Sequence, residues 1–487
     1  MTMTSTPDRI ARLADWLAAV QADDIPDEAF ERLRLQVLDH LGCAVLGADT
    51  NEHRRFRVPL QTMGNADDAT VVLGGSRAGA TVAAMTNATS ISRTELTVGI
   101  GRAHVHPGTQ AIPVALAEAE RTGADGLDVL RAVALGYEVA IRLGWSMSHL
   151  PGEPLNQVRP QLMLRGWYTP AILGGFAAAA AAAAIRRLDA GRIRDAFGIV
   201  GNLAPTALYA GAKSGAVVKS VSEGWAAAIG LFAVDLAERG LGGVPNIADH
   251  LFPLLVGDAE RIDFERIDEG LGERWELLDF GRNQTMFSAS RTSSITDCAF
   301  QLRDDHGLVA GEIEEVVVRT TSRFKLLDTV APPNEQAAKF SIPYSVAQVL
   351  LGRRREEMLD EAFTEAAFRA PDWQDLARRV RVVADPEFDA AFETHPRVST
   401  PSQIDVVLRD GAHRSNRTDG YFGLSGKPEV DPRDFDRKFR HLAARRLPEG
   451  AAERALELVL ALGRHTDIRA LMALFSQPRE PGDAVPT

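Results

Sequence analysis

Residues 174–184 read Gly-Gly-Phe followed by eight alanines, Ala177 to Ala184. No other stretch limits the fold so strongly. Alanine loses no rotamer entropy on entering a helix, and it makes a thin cylinder that neighbouring backbones can approach closely. A flexible linker would carry Pro, Ser or charge, and this run has none. It predicts a central, tightly packed helix. The apolar stretch Phe176–Ile185 is too short to span a bilayer, and every longer one is broken by a charge, Gly or polar residue.

Up to about residue 275 the pattern is helix after helix. Pro26-Asp27-Glu28 opens one, with Phe30, Leu33, Leu35, Val37 and Leu38 following at roughly helical spacing. Thr109–Arg121 and Gly126–Leu143 read as two more, the first stopped by Gly123. Lys219–Glu238 is a further helix, with Gly224, Ala226, Ala227, Ala228 and Gly230 on a small-residue face. Near Phe280 the character changes. Glu312–Thr321, Val380–Ala384 and Ile404–Leu408 carry the β-branched runs of strands, with helices expected at Ser345–Leu351 and Glu356–Phe368. From Asp431 the helical pattern returns and runs through Leu474.

A chain of 487 residues holds two or three folding units. The predicted division is a helical domain over 1–275, an α+β unit over 276–425, a helical return over 426–476 and a disordered, proline-bearing tail over 477–487. The fold class is thus mostly α, with a smaller α+β insertion. No internal repeat of fixed period is present.

The net charge of −12 excludes a basic nucleic-acid-binding surface. Met1–Arg12 has no basic stretch followed by an apolar core, so the expected location is cytoplasmic, with no membrane association. Two distant cysteines, Cys43 and Cys298, exclude a disulfide framework and a thiolate metal site and fit a reducing compartment. Arginine supplies most of the positive charge, and the lysines are Lys213, Lys219, Lys325, Lys339, Lys427 and Lys438. A chain that otherwise uses arginine keeps lysine where an amine must be able to lose its proton, or by chance.

Several stretches taken in order resemble the MmgE/PrpD family. They are Val37–Cys43 (Val-Leu-Asp-His-Leu-Gly-Cys), Ala134–Val139 (Ala-Leu-Gly-Tyr-Glu-Val), Lys219–Leu236, Lys339–Ala347 (Lys-Phe-Ser-Ile-Pro-Tyr-Ser-Val-Ala) and Lys438-Phe439. The resemblance spans roughly residues 7–475. It implies a large all-helical domain built from both chain ends, an inserted α+β lid and a homodimer. It also implies chemistry on a small carboxylate substrate, by dehydration, decarboxylation or epimerisation, without a metal or organic cofactor. Proton transfer beside a carboxylate needs an acid–base pair and donors for the developing negative charge.

The candidate residues follow from the matched motifs. His106, in His104-Val105-His106-Pro107-Gly108, matches a histidine that lines the family's site, and an imidazole can move a proton either way. The His-x-His spacing lacks a third metal ligand. Gly108-Thr109 opens a helix whose free N–H groups, Thr109 included, would hold a substrate carboxylate. Lys219 matches the family's active-site lysine, and burial at a helix start would lower its pKa. Tyr344 matches a tyrosine that reaches the site from the lid; the alternative is a packed core tyrosine. Arg93, Arg102, Arg159, Arg165 and Arg291 are candidate carboxylate grips, with Arg165 and Arg291 the two inside matched motifs.

Three departures mark this chain. The family's aspartate-rich stretch is Thr94-Glu95-Leu96-Thr97-Val98 here, leaving Glu95 as its carboxylate. A family histidine is replaced by Tyr168 in Gly166-Trp167-Tyr168-Thr169-Pro170. The lid motif becomes Thr285–Arg291, without its lysine and cysteine. Each change removes a titratable group. A dehydratase must take one proton and deliver another to a leaving hydroxyl, so the losses favour a decarboxylase or isomerase. Tyr168 would then act as a weak acid or shape the pocket. The competing readings are a repurposed enzyme acting on a less polar substrate and an inactive dimeric binding protein.

Overall fold

The computed structural model of the chain describes residues 8–60, 62–63, 66–153, 161–280, 292–394, 401–420 and 431–479. Helices dominate, and among the described residues strands are confined to one four-stranded sheet and a two-residue pairing near the N-terminal end. The alanine run lies in the helix Thr169–Arg186, hereafter the alanine helix. By length and composition this helix would cross a membrane, yet 94% of it is buried inside the protein. It packs against the helices Pro107–Thr122, Gly126–Ser146 and Val218–Glu238. Close approach explains the small residues. A Cβ on Gly230 would run into Ala178 and come within 2.7 Å of the Gly175 carbonyl.

Local chemistry sets the helix ends. Asp125 accepts from the amides of Leu127 and Asp128 at 3.0 and 3.1 Å, starting Gly126–Ser146. Gly123, at φ +78°, closes Pro107–Thr122 in the left-handed region, where glycine carries no Cβ penalty.

Among the described residues two large hydrophobic cores form, beside two small clusters. The first joins Ile10 through Leu277 to Phe435 through Phe475, so the two ends of the chain share one interior. The second gathers Ile295 through Val406 around the sheet. Its strand order is Val380–Ala384, Ile313–Thr320, Ser402–Leu408, His413–Thr418. The first pair is parallel and the others antiparallel, with Val318 opposite both Val382 and Ile404. Ile313, Val316 and Val318 face the interior, and the helices Ser293–His306 and Ile342–Leu350 pack on the sheet.

Two expectations need correction, and one strand was not foreseen. The single helix expected over Glu356–Phe368 is instead two 3-10 turns, Glu356–Met358 and Glu361–Phe363, and a short helix, Glu365–Arg369. Asp360 caps the Glu361 amide at 2.7 Å and Thr364 caps Ala367 at 3.2 Å, and each side chain restarts the backbone. The strand His413–Thr418 has no apolar alternation to announce it; it lies at the sheet edge, where polar side chains suit solvent. The tail expected to be disordered from 477 is ordered at its start. The Arg479 amide donates to the Arg446 carbonyl at 2.8 Å, and its Nη1 donates to Ala444 at 2.8 Å.

Candidate active site

Three helix starts carry the residues of the site. His106 is the N-cap of Pro107–Thr122, Tyr168 is the N-cap of the alanine helix, and Lys219 is the second residue of Val218–Glu238. The end of Ala80–Arg93 adds Ser92, and the following loop adds Glu95 and Thr97. The unsatisfied N–H ends of helices favour negative charge.

Glu223 is the centre of this arrangement. It is buried one turn along from Lys219, and its Oε1 accepts from the Tyr168 hydroxyl and from Ser92 Oγ, both at 2.6 Å. Lys219 Nζ lies 3.2 Å from the same oxygen, and Gln110 Nε2 donates to Oε2 at 3.3 Å. Lys219 Nζ also meets Glu95 Oε1 at 2.6 Å and stands 5.2 Å from the Tyr168 ring centroid. Burial alone would raise the Glu223 carboxyl. The Lys219 ammonium, His106 and the hydroxyl donors outweigh it and hold the group below the usual carboxylate range. His106 is half-buried, with Nδ1 3.3 Å from Thr97 Oγ1. Glu95 takes φ +59°, a left-handed conformation that costs a side-chain-bearing residue free energy.

The second core reaches this cluster through the segment Asn334–Lys339. Gln336 Nε2 donates to the Arg93 carbonyl at 3.3 Å and to Glu95 Oε1 at 3.4 Å. Lys339 Nζ donates to the same Arg93 carbonyl at 3.0 Å.

The expected residues fare differently. His106, Lys219, Tyr168 and Glu95 come together. The Lys219 pKa moves opposite to expectation: burial pushes the ammonium down, but Glu95, the Tyr168 phenol and Glu223 together carry it well above the ordinary lysine value. Burial and the adjoining Glu223 carboxylate push the Tyr168 phenol far up, and its hydroxyl donates to Glu223, which makes it a weaker acid than an ordinary tyrosine. Thr109 is fully buried and its amide is taken by the His106 carbonyl at 3.1 Å, so the expected backbone donor is engaged, while its Oγ1 is buried without a hydrogen-bond partner among the described residues. The next residue back, Gly108, packs so tightly that a Cβ there would overlap His40 and Tyr137.

Tyr344 stands apart from the site. It is fully buried in the second core, its hydroxyl donates to the Ala362 carbonyl at 2.6 Å, and its ring meets Trp373 edge-on at 4.7 Å. That is the packed core tyrosine. Arg165 is exposed, with its guanidinium against Gly257 at the end of Ile247–Val256, and it does not join the cluster. Arg102 lies over the Trp145 ring at 4.3 Å. Arg93 is buried and paired with Glu52 at 3.0 Å and Glu335 at 3.6 Å. Arg159, Arg291 and the whole Thr285–Arg291 motif lie outside the described residues.

Sequence reasoning missed Glu223, Ser92, Gln110 and Gln336, and it did not assign Lys339 to the site. Only Glu223 left a local signal: its four-residue spacing from Lys219 places the two on one helix face. Asp360, Glu361 and His441 bring three potential metal ligands together elsewhere. Asp360 is already engaged there by His441 at 2.9 Å and Arg446 at 2.9 Å, and Glu361 by Arg445 at 2.6 Å, which is an ion-pair network.

Two family models match the chain, the MmgE/PrpD N-terminal domain over residues 11–252 and the MmgE/PrpD C-terminal domain over residues 288–464. The chain is also similar to cis-aconitate decarboxylase of Aspergillus terreus, at 24% identity over 96% of both chains. A cis-aconitate decarboxylase-like protein of Aspergillus oryzae, oryM, is 26% identical over 98% of this chain and 99% of its own length. Cis-aconitate decarboxylase of Homo sapiens is 24% identical over 94% of this chain and 92% of the relative.

Proposed function

The chain belongs to the MmgE/PrpD family, and on that premise we propose that it is a lyase moving a proton beside a carboxylate of a small acidic substrate, by decarboxylation. The observation that carries the reading is the permanently charged Lys219, buried between Glu95 and Glu223 where three helices begin. A substrate carboxylate entering there would compete with Glu95 for the ammonium and gain the helix-end donors. The site offers two kinds of proton donor to such a substrate, the His106 imidazole, half-buried at the same helix ends, and a lysine amine.

Tyr168 supports loss of carbon dioxide over loss of water. Its proton is committed to Glu223, so it does not replace the acid that a leaving hydroxyl needs. Decarboxylation requires one protonation, at the carbon that loses the carboxylate. Isomerisation, which also needs no hydroxyl to leave, is the second reading on the same ground.

The assembly proposed is a homodimer. Val218, Trp225 and Phe232 recur every seven residues on the helix Val218–Glu238 and are 60%, 43% and 49% exposed, an apolar stripe that a second copy would cover. Light scattering of Trp225→Arg should show a shift toward monomer.

The reading is tested by incubating the protein with cis-aconitate, itaconate, citrate and methylcitrate in heavy water. Products are followed by NMR against Lys219→Ala. Wild type should release carbon dioxide or incorporate deuterium beside a carboxylate, and Lys219→Ala should lose about 1,000-fold of the rate, roughly 4 kcal/mol of barrier. Equal rates in the two proteins would overturn the assignment, and no turnover across the panel would point to a less polar acid.

A further inference from the structure

The site has two amines, and their surroundings differ in kind. Lys219 meets two carboxylates within 3.2 Å. Lys339 has no carboxylate within ion-pair distance among the described residues; its Nζ donates only to the neutral carbonyl of Arg93. Four charged groups surround it. The Arg93 guanidinium and, more weakly, Lys219 oppose its charge, while Glu95 and Glu335 favour it. Glu335 is partly spent on Arg93 at 3.6 Å, and Glu95 on Lys219 at 2.6 Å.

Lys339 is also tied to the reacting region. Its partner, Arg93, ends the helix that supplies Ser92, and two residues on is Glu95. Gln336 grips both the Arg93 carbonyl and Glu95, so the segment Asn334–Lys339 lies along the same carboxylate that Lys219 holds from the other side.

We propose that Lys339, delivered by the sheet-bearing core, is the proton-exchanging amine of the site, while Lys219 serves as a fixed cation. The inference deepens the lyase reading and rests on it. Two amines whose environments drive their proton affinities apart divide into an acid and a charge anchor. Burial and Arg93 lower the Lys339 amine to about 8, and Glu95, Tyr168 and Glu223 raise that of Lys219 despite its burial.

The step balances as follows. The C–C bond to the departing carboxylate breaks and carbon dioxide leaves. The bonding pair stays on the substrate carbon. That carbon takes a proton from the Lys339 ammonium, and the neutral amine regains a proton from water. The fixed charge of Lys219 stabilises the carbanion and a remaining carboxylate. No oxidant or second reactant is consumed.

Trace acetylation across pH 6 to 11, read by peptide mass spectrometry, gives the titration midpoint of each lysine. Lys339 should label with a midpoint near pH 8, while Lys219 stays protected well past the ordinary lysine range. Rates with cis-aconitate across the same pH range are taken in parallel for wild type, Lys219→Ala, Lys339→Met and Lys339→Arg. Wild-type turnover should fall above pH 8 as the ammonium is lost. Lys339→Arg keeps the charge but holds its proton, so it should lose about 100-fold in kcat and lose that alkaline limb. A Lys339 midpoint above 10, or a Lys339→Arg enzyme with wild-type kcat and the same limb, overturns the inference. If Lys219→Ala is inactive in that second case, the lyase reading survives alone. If wild type turns over no carboxylate, the lyase reading and the proton-delivery role that rests on it both fall.

Discussion

The protein buries a second lysine–carboxylate pair, and it differs instructively from the one in the site. Lys438, on the returning helix Pro432–Ala443, meets Asp39 at 2.8 Å with both side chains completely inaccessible. Its Nζ also donates to the Leu96 carbonyl at 3.0 Å, next to Glu95. Lys219 and Glu95 make an equally short contact, yet they keep 7% and 12% of their side-chain surface open. Both side chains are sealed, so the effect is architectural: the pair ties Pro432–Ala443 to the helix Asp27–Ala48, and the Leu96 bond adds the loop carrying Glu95. The open pair has a half-buried histidine, a second carboxylate and a second amine around it. What separates the two pairs is access and surplus of partners, and contact distance says little.

The sharpest test of that contrast removes the sealed lysine. Lys438→Met should cost about 3–5 kcal/mol of stability, because the Asp39 carboxylate loses its cation in the interior. Adding Asp39→Leu should recover most of the loss. Urea unfolding measures both, and a single-variant loss below about 1 kcal/mol would mean that the pair is not sealed.

The matching change in the open site is Glu223→Gln. It keeps the shape, takes one carboxylate from Lys219, and should lower turnover by about 100-fold, roughly 2.7 kcal/mol of barrier, with a smaller stability change than Lys438→Met. Turnover within a factor of three of wild type would demote Glu223 to packing.

The smallest expected effect is in pH dependence. The Glu223 carboxyl is lowered in the fold, so its contribution is present above its ordinary value of 4.5 and lost as pH falls through the folded value. Lys219 is raised, so its contribution is intact below 10.5 and lost only as pH climbs through the folded value. Lys339 has the opposite sign. Between about 8 and 10.5 the unfolded chain binds the extra proton, so stability rises with pH there. Unfolding midpoints of wild type and Lys339→Met over that interval should diverge. Parallel curves would count against a lowered amine.

Much of the helical layer was legible in the sequence, because alanine and glycine patterning is local information. The alanine helix and Val218–Glu238 lie nearly where residue spacing places them. The site was legible only in part. Lys219 and His106 sit in recognisable motifs, but the direction of the Lys219 pKa depends on Glu95, a residue 124 positions away, as well as on Glu223. Burial and the helix end could be read from the chain; the two carboxylates facing the amine could not. Tyr344 misled for a similar reason: Phe363, Phe368 and Trp373, which enclose its ring, follow it by 19 to 29 positions and form no pattern with it. The edge strand His413–Thr418 stayed hidden because solvent, and no packed partner, chose its side chains.

The close fit of Gly230 against the alanine helix has a mechanical consequence. Two helices locked backbone to backbone cannot slide without collision, so Tyr168 and Lys219, each at the start of one of them, behave as points on a single rigid jaw. The opposing surface, Asn334–Lys339, is held by side-chain hydrogen bonds to one carbonyl and one carboxylate, together with the Glu335–Arg93 pair. Of the two sides, Asn334–Lys339 is therefore the one whose grip on Arg93 and Glu95 comes from side chains, where the helix pair is held through backbone.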